Sequence, residues 1–225
     1  MENKMNHVRH ENIFNIPASF SVTLIGAGGI GATTALTLAK MGVQTMVVYD
    51  DDTVGDENLP TQLHRISDVG LPKVSSLEGV LREFSDELSF HPRPIRVTEY
   101  ETIRSSLVIS AVDSISARQA IWRALMDNDS SAFWYLDARM ASEEYQHFLI
   151  NFDDANAVVA YEGKLMAMDE NSAPDLPCTA KATFFTAMIA AGHIGTQVRN
   201  IVRGEARSHR LVHIIPNNFL QTFNI

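Results

Sequence analysis

The chain has 225 residues, 45% hydrophobic, 20% charged and 8% aromatic, enough for a substantial core and unlike a collagenous, low-complexity or intrinsically disordered composition. Eighteen Lys and Arg against 27 Asp and Glu leave a net charge of −9, which argues against nucleic acid or an anionic membrane as a partner. Apolar runs of strand length only, a polar N-terminus and one cysteine, Cys178, lead to the expectation of a cytoplasmic protein with no membrane span, disulfide framework or cysteine-rich zinc site.

Residues 21–25 are a short apolar run that predicts a strand leading straight into a glycine cluster. The Ala-, Leu- and Thr-rich segment 32–41 predicts a helix ended by Gly42 as its C-cap. Residues 45–49 read as a second buried strand, closed by Asp50, Asp51 and Asp52. After Pro72, Val74, Leu77, Val80, Leu81 and Phe84 recur at helical spacing. A third strand is expected at 95–97, where Pro92 and Pro94 suggest a sheet edge. Residues 107–112 predict a fourth strand, Asp113 or Ser114 a cap for a helix over 115–126, and 132–136 a fifth strand. The rhythm then changes. Segments 146–151, 157–161 and 164–167 predict antiparallel strands, with Glu162 and Gly163 at a hairpin turn. A loop follows over 168–177, then a long helix over 179–203 with the small-residue face Ala187, Ala190, Ala191 and Gly195, then a short strand at 209–215.

This succession predicts an α/β fold: a Rossmann-like, mostly parallel sheet with helices on both faces, extended by antiparallel strands and a long C-terminal helix. Residues 1–225 are read as one domain. Residues 1–140 form its nucleotide-binding half, and 141–225 the antiparallel appendage, crossover loop and C-terminal helix.

Gly26, Ala27, Gly28, Gly29, Ile30 and Gly31 form a GxGxxG loop after a strand and before a helix. The first glycine permits the tight turn, the second lets backbone approach a phosphate, and the third lets helix pack on strand. The helix N-terminus offers free N–H groups to an anion. The bland alternative is a tight turn without a ligand. Asp50 lies 19 residues after Gly31, where a Rossmann acid holds a ribose hydroxyl. To this point a nicotinamide-dependent dehydrogenase and an ATP-binding enzyme fit equally well.

The next segment separates them. Asp50, Asp52 and Val54, then Asn58, Leu59 and Gln62, then Lys73 at the head of a helix follow in order, and Asp113 and Ser114 close the fourth strand with Arg118 after them. These motifs resemble the ThiF/MoeB/ubiquitin-activating superfamily, with its DxDxV, NLxRQ, helix-opening lysine and strand-end DN…R patterns. The resemblance covers roughly residues 20–125, with a weaker echo at 178–204. It implies a homodimeric, ATP- and Mg²⁺-dependent adenylyltransferase acting on the C-terminal carboxylate of a ubiquitin-like or sulfur-carrier protein. By resemblance Asp50 holds the ribose, Lys73 neutralises phosphate, Asp113 ligates Mg²⁺, and Asn58 and Gln62 line the adenylate pocket. Asp52 matches the pattern without a clear role. The family arginine is replaced by Thr61 and the strand-end asparagine by Ser114. Arg65, or Arg9 reaching across a dimer, would supply the missing charge.

Pro177, Cys178 and Thr179 resemble the thioester-cysteine motif of ubiquitin-activating enzymes, with the proline immediately before the cysteine. A cysteine at a helix start has its thiolate stabilised, and Lys181 would add to this. The bland reading is a small buried hydrophobe. Arg139 would contact phosphate or the incoming tail, or else pair with Asp137. Rival functions are an NAD(P)-dependent oxidoreductase and an inactive partner subunit; a peptide substrate would keep the same chemistry.

Overall fold

A computed structural model describes residues 7–85, 87–127, 129–169 and 182–225. Among these residues eight strands form one sheet: β1 (Ser21–Ile25), β2 (Thr45–Tyr49), β3 (Ser89–Arg93), β4 (Arg104–Ser110), β5 (Ser131–Ala141), β6 (Glu144–Asn151), β7 (His209–Ile214) and β8 (Phe219–Asn224). Their order is β3-β2-β1-β4-β5-β6-β7-β8. The first five are parallel, and β6, β7 and β8 are antiparallel to their neighbours. Because β5 runs through residue 140, the parallel half and the antiparallel appendage share one continuous hydrogen-bonded ladder.

Among the described residues five helices cover both faces: α1 (Gly29–Met41), α2 (Lys73–Arg82), α3 (Ile115–Asp127), α4 (Ala155–Met166) and α5 (Phe184–Val202). Burial on both sides explains why the central strands read as unbroken apolar runs. On one face Leu38, Leu77, Ile194 and Val198 from α1, α2 and α5 close over Leu24, Met46 and Leu136. On the other, Trp122, Tyr161 and Leu165 from α3 and α4 meet Val108, Tyr135 and Phe148. The small face of α5 serves a close crossing with α1. A Cβ at Gly195 would lie 3.2 Å from both Thr37 and Met41, and Thr33 Oγ1 donates to the carbonyl of Ala187 at 3.1 Å. No helix among the described residues is long and apolar enough to cross a membrane.

The structure departs from the sequence reading in three places. The third strand is Ser89–Arg93, and 95–97 is the loop after it. Pro92 is tolerated because β3 is an edge strand, where its missing N–H need not belong to a ladder. The expected hairpin over 157–167 is instead α4. Ala157, Tyr161 and Leu165, spaced by four, are its buried residues, and the Asp154 side chain caps it by accepting from the Ala157 N–H at 3.2 Å. Strand β8 was not anticipated; it follows Asn218 in the left-handed conformation and is exposed along its whole length.

Candidate active site

β1 lies between β2 and β4, so the chain leaves β1 in one direction and later returns to its other side. The loops diverge at the strands' carboxyl ends, where α/β sheets bind ligands. A cleft of about 1070 Å³ opens there and extends over β6 and β7.

Two of the loop glycines are required by the fold. Gly26 has φ +102°, and a Cβ on it would lie 2.6 Å from the Ala111 carbonyl oxygen; one on Gly31 would lie 1.9 Å from the carbonyl oxygen of Gly26. Gly28 differs, since its nearest neighbour would be the Gln62 side chain at 3.8 Å. The space at Gly28 therefore faces the cleft. Ala27 and Gly31 are buried behind it, while Gly29 and Ile30 line it. Gly28 offers α1 no side-chain cap, which leaves the first-turn N–H groups to a ligand.

Asp50 closes the loop from β2. Its carboxylate accepts from the Ala27 N–H at 2.6 Å and the Asp52 N–H at 2.9 Å. Burial pushes its carboxyl up, against those two bonds and the Lys73 charge. Asp52 to Val54 runs antiparallel to Leu71–Lys73, with Lys73 N–H donating to Asp52 C=O and Val54 N–H to Leu71 C=O, both at 2.9 Å. This pairing delivers Lys73, 7% exposed, to the cleft, where Nζ bonds Asp52 Oδ2 at 2.7 Å. Gln62 enters from the following loop, and its Oε1 is buried without a hydrogen-bond partner among the described residues.

Across the cleft, Ser114 rather than Asp113 caps α3, its Oγ accepting from the Ala117 N–H at 3.3 Å. Asp113 is exposed and lines the cleft, and its carboxylate has no hydrogen-bond partner among the described residues. A solvent-facing carboxylate opposite a glycine loop suits a hard cation carried by phosphate.

Three expected residues lie elsewhere. Asn58 does not line the cleft; its Oδ1 accepts from the Gly55 N–H at 2.9 Å and closes a local turn. Arg9 is exposed in the N-terminal segment, which packs through His7 against Gly42, at the opposite end of α1 from the glycine loop. That helix is about 20 Å long. Arg65 is committed to Asp68, at 3.0 Å, and to Glu83. Cys178 and Lys181 lie outside the described residues.

Two polar networks support the site; only the Asp137–Arg139 pair of the second was expected from the sequence. His64 Nε2 reaches the Ala27 carbonyl oxygen at 3.1 Å and Nδ1 reaches Ser76 Oγ at 2.9 Å; Ser76 Oγ also bonds Asp68 Oδ2 at 2.8 Å. A carbonyl only accepts, so Nε2 carries a proton. Burial lowers the pKa of His64. The chain of bonds braces the glycine loop on α2. The second network surrounds Asp137, which is fully buried. Arg118 donates to its Oδ1, Arg139 to its Oδ2 at 2.6 and 2.8 Å, and Tyr161 to Oδ2 at 2.9 Å. Burial alone would raise this carboxyl, but Arg118 and Arg139 hold it below the usual carboxylate range. Arg118 also bonds the carbonyls of Val112 and Ala138. It thereby ties the segment before Asp113 to β5.

The chain matches the ThiF family over residues 2–201 and belongs to it. It is 37% identical over 105 residues to the SAMP-activating enzyme E1 of Haloferax volcanii, covering 44% of this chain and 39% of that one. It is 27% identical over 131 residues to ubiquitin-like modifier-activating enzyme 5 of Branchiostoma floridae, covering 51% of this chain and 32% of that one. Against the adenylyltransferase and sulfurtransferase MOCS3 of Aedes aegypti, identity is 35% over 103 residues, 44% of this chain and 24% of that one. The chain thus spans well under half the length of these relatives. Its fold is similar to that of E. coli MccB crystallised with ATP, with TM-score 0.71 and 16% identity over 96% of this chain and 66% of that one. It is also similar to that of PaaA, with TM-score 0.68 and 17% identity over 92% and 64%.

Proposed function

We propose that this ThiF-family chain binds ATP with Mg²⁺ across the glycine loop and adenylates the C-terminal carboxylate of a ubiquitin-like or sulfur-carrier protein in the cytoplasm. One observation carries this reading: Gly28, Asp50, the buried Lys73 and Asp113, which has no hydrogen-bond partner among the described residues, line a single cleft. Asp50 would hold the ribose, and the open space at Gly28 would admit the phosphates beside the N–H groups of α1. Lys73 would meet phosphate charge as it now meets Asp52, and the unpartnered Gln62 Oε1 would take a donor from the nucleotide. Asp113 would hold Mg²⁺, whose charge favours pyrophosphate as a leaving group. A carboxylate oxygen of the carrier then forms a bond to the α-phosphorus as the bond to pyrophosphate breaks. Positioning and charge stabilisation are what such a transfer asks of the protein.

Cys178 would follow by attacking the acyl carbon as a thiolate, forming a thioester and releasing AMP. Arg9, remote from the cleft of its own chain, would act only from a second copy, which makes a homodimer part of this proposal. Family membership weighs against the oxidoreductase reading, and the retained Asp50, Lys73 and Asp113 weigh against an inactive subunit. The test is ATP–pyrophosphate exchange together with thermal shift in Mg-ATP, NADH and NADPH. Asp113→Ala should abolish exchange and Cys178→Ala should preserve it. Stabilisation by a nicotinamide nucleotide without any by Mg-ATP would overturn the reading.

A further inference from the structure

The cleft is electrically lopsided. Its glycine-loop end carries Asp50, Asp51, Asp52 and Asp113 against Lys73 and Arg96, its far end carries Arg139, Lys164 and Arg210 against Glu144, and Arg118 lies between the two, bonded to Asp137. Three cations converge there on the ring of Phe148: Arg139 Cζ lies 5.2 Å from its centroid, and Lys164 Nζ and Arg210 Cζ each 5.5 Å. Arg139 shares the carboxylate of Asp137 with Arg118, so two guanidiniums meet one negative charge. Arg210 bonds the neutral Gln146 Oε1 at 2.9 Å, and its Nε is buried with no hydrogen-bond partner among the described residues. Lys164 has no carboxylate partner among them either. The attraction of a ring quadrupole offsets only part of the repulsion among three neighbouring cations. In a chain of net charge −9 this arrangement is complementary to an anion.

Register places that anion relative to the reaction. Ser110 of β4, Asp137 of β5, Phe148 of β6 and Arg210 of β7 stand opposite one another across the sheet. With strands about 4.8 Å apart, Phe148 and Arg210 lie about 10 and 14 Å from the β4 end that carries Asp113. An extended chain covers those distances in three or four residues.

We propose that the β6–β7 end of the cleft is a subsite for an acidic side chain of the acyl substrate, three or four residues before the carboxylate that is activated. The assignment deepens, and rests on, the adenylation reading. The probes are fluorescein-labelled peptides ending in Gly-Gly, with Glu, Gln or Lys at the third, fourth or fifth position from the C-terminus. Their binding to the full chain is followed by anisotropy, with and without Mg²⁺ and a non-hydrolysable ATP analogue. At one of these positions Glu should bind about tenfold more tightly than Lys. The advantage should fade in high salt and vanish in the Lys164→Gln, Arg210→Gln double variant, which should keep its stabilisation by Mg-ATP. Equal affinities for Glu and Lys peptides, absence of binding included, would overturn the subsite. So would loss of Mg-ATP stabilisation in the double variant alone, because the cations would then serve the triphosphate. Failure of wild-type protein to respond to Mg-ATP would refute the adenylation reading instead, and the nucleotide-free peptide series would still report the charge preference.

Discussion

Asp137→Asn keeps the shape of the side chain and removes its charge from a position that is 0% exposed, facing an Arg118 that is 4% exposed. The asparagine oxygen can still accept from Tyr161 or from one guanidinium, but no carboxylate remains to balance Arg118 and Arg139. Removing one partner of a buried ion pair costs about 3–5 kcal/mol. Arg118 keeps its bonds to the Val112 and Ala138 carbonyls, which places the expectation near the lower figure, about 3 kcal/mol. At this chain length each kcal/mol moves Tm by roughly 2–4 °C, so unfolding should shift down by about 6–12 °C. Urea midpoints at constant m-value, together with calorimetry, measure the loss. The pH dependence supplies a second readout. Because the folded-state pKa of Asp137 is depressed, its contribution is present above the unfolded value near 4 and is lost as pH falls through the folded one. Asp137→Asn should therefore flatten the acid limb of stability below about pH 4. A loss under about 1 kcal/mol at neutral pH, with an unchanged acid limb, would refute the assignment of Asp137 as the neutralising centre of this cluster.

Gly28→Ala should leave stability within about 1 kcal/mol and abolish stabilisation by Mg-ATP, since its Cβ meets little protein but fills the cleft. Gly31→Ala should instead unfold or severely destabilise the chain, because its Cβ would sit 1.9 Å from the Gly26 carbonyl oxygen; thermal melts with and without nucleotide separate the two. Lys73→Met should lower ATP–pyrophosphate exchange by about 10²–10³, the usual cost of one lost charge-stabilising donor, while circular dichroism stays native. Burial holds the pKa of His147 well below its ordinary value. Stability should therefore fall as pH drops below about 6.5, as the unfolded chain takes up a proton that the folded one refuses, by at most about 1.4 kcal/mol per pH unit for this residue. His147→Gln should remove that share of the slope in urea titrations at pH 7 and pH 5.

The glycine-loop end of the cleft was legible because its motifs are local. The Gly26–Gly31 spacing, Asp50 at a strand end and Lys73 at a helix start each need only their own strand–loop–helix unit to be recognised. The β-rich reading of 157–167 failed because Val158 and Val159 suggest a strand, whereas packing of Tyr161 and Leu165 against α3 and the sheet, with Ala157 buried one turn earlier, selects the helical period. Strand β8 left little signal because it is exposed throughout, and exposure imposes no alternation.

Sequence alone thus determined the loop, its acid, its lysine and the carboxylate of the fourth strand, since these are contiguous motifs whose order the chain preserves. Only the tertiary structure decided that Ser114 caps α3 and leaves Asp113 without a partner among the described residues, that Asn58 turns away from the cleft, and that His64 braces the loop from α2. It also brought Arg118 and Tyr161 to the Asp137–Arg139 pair that period-two strand geometry already sets on one face, and drew Lys164 and Arg210 to Phe148, across helices and strands distant in sequence. Such contacts depend on strand order and cross-strand register, which nothing in the local spacing of those residues encodes.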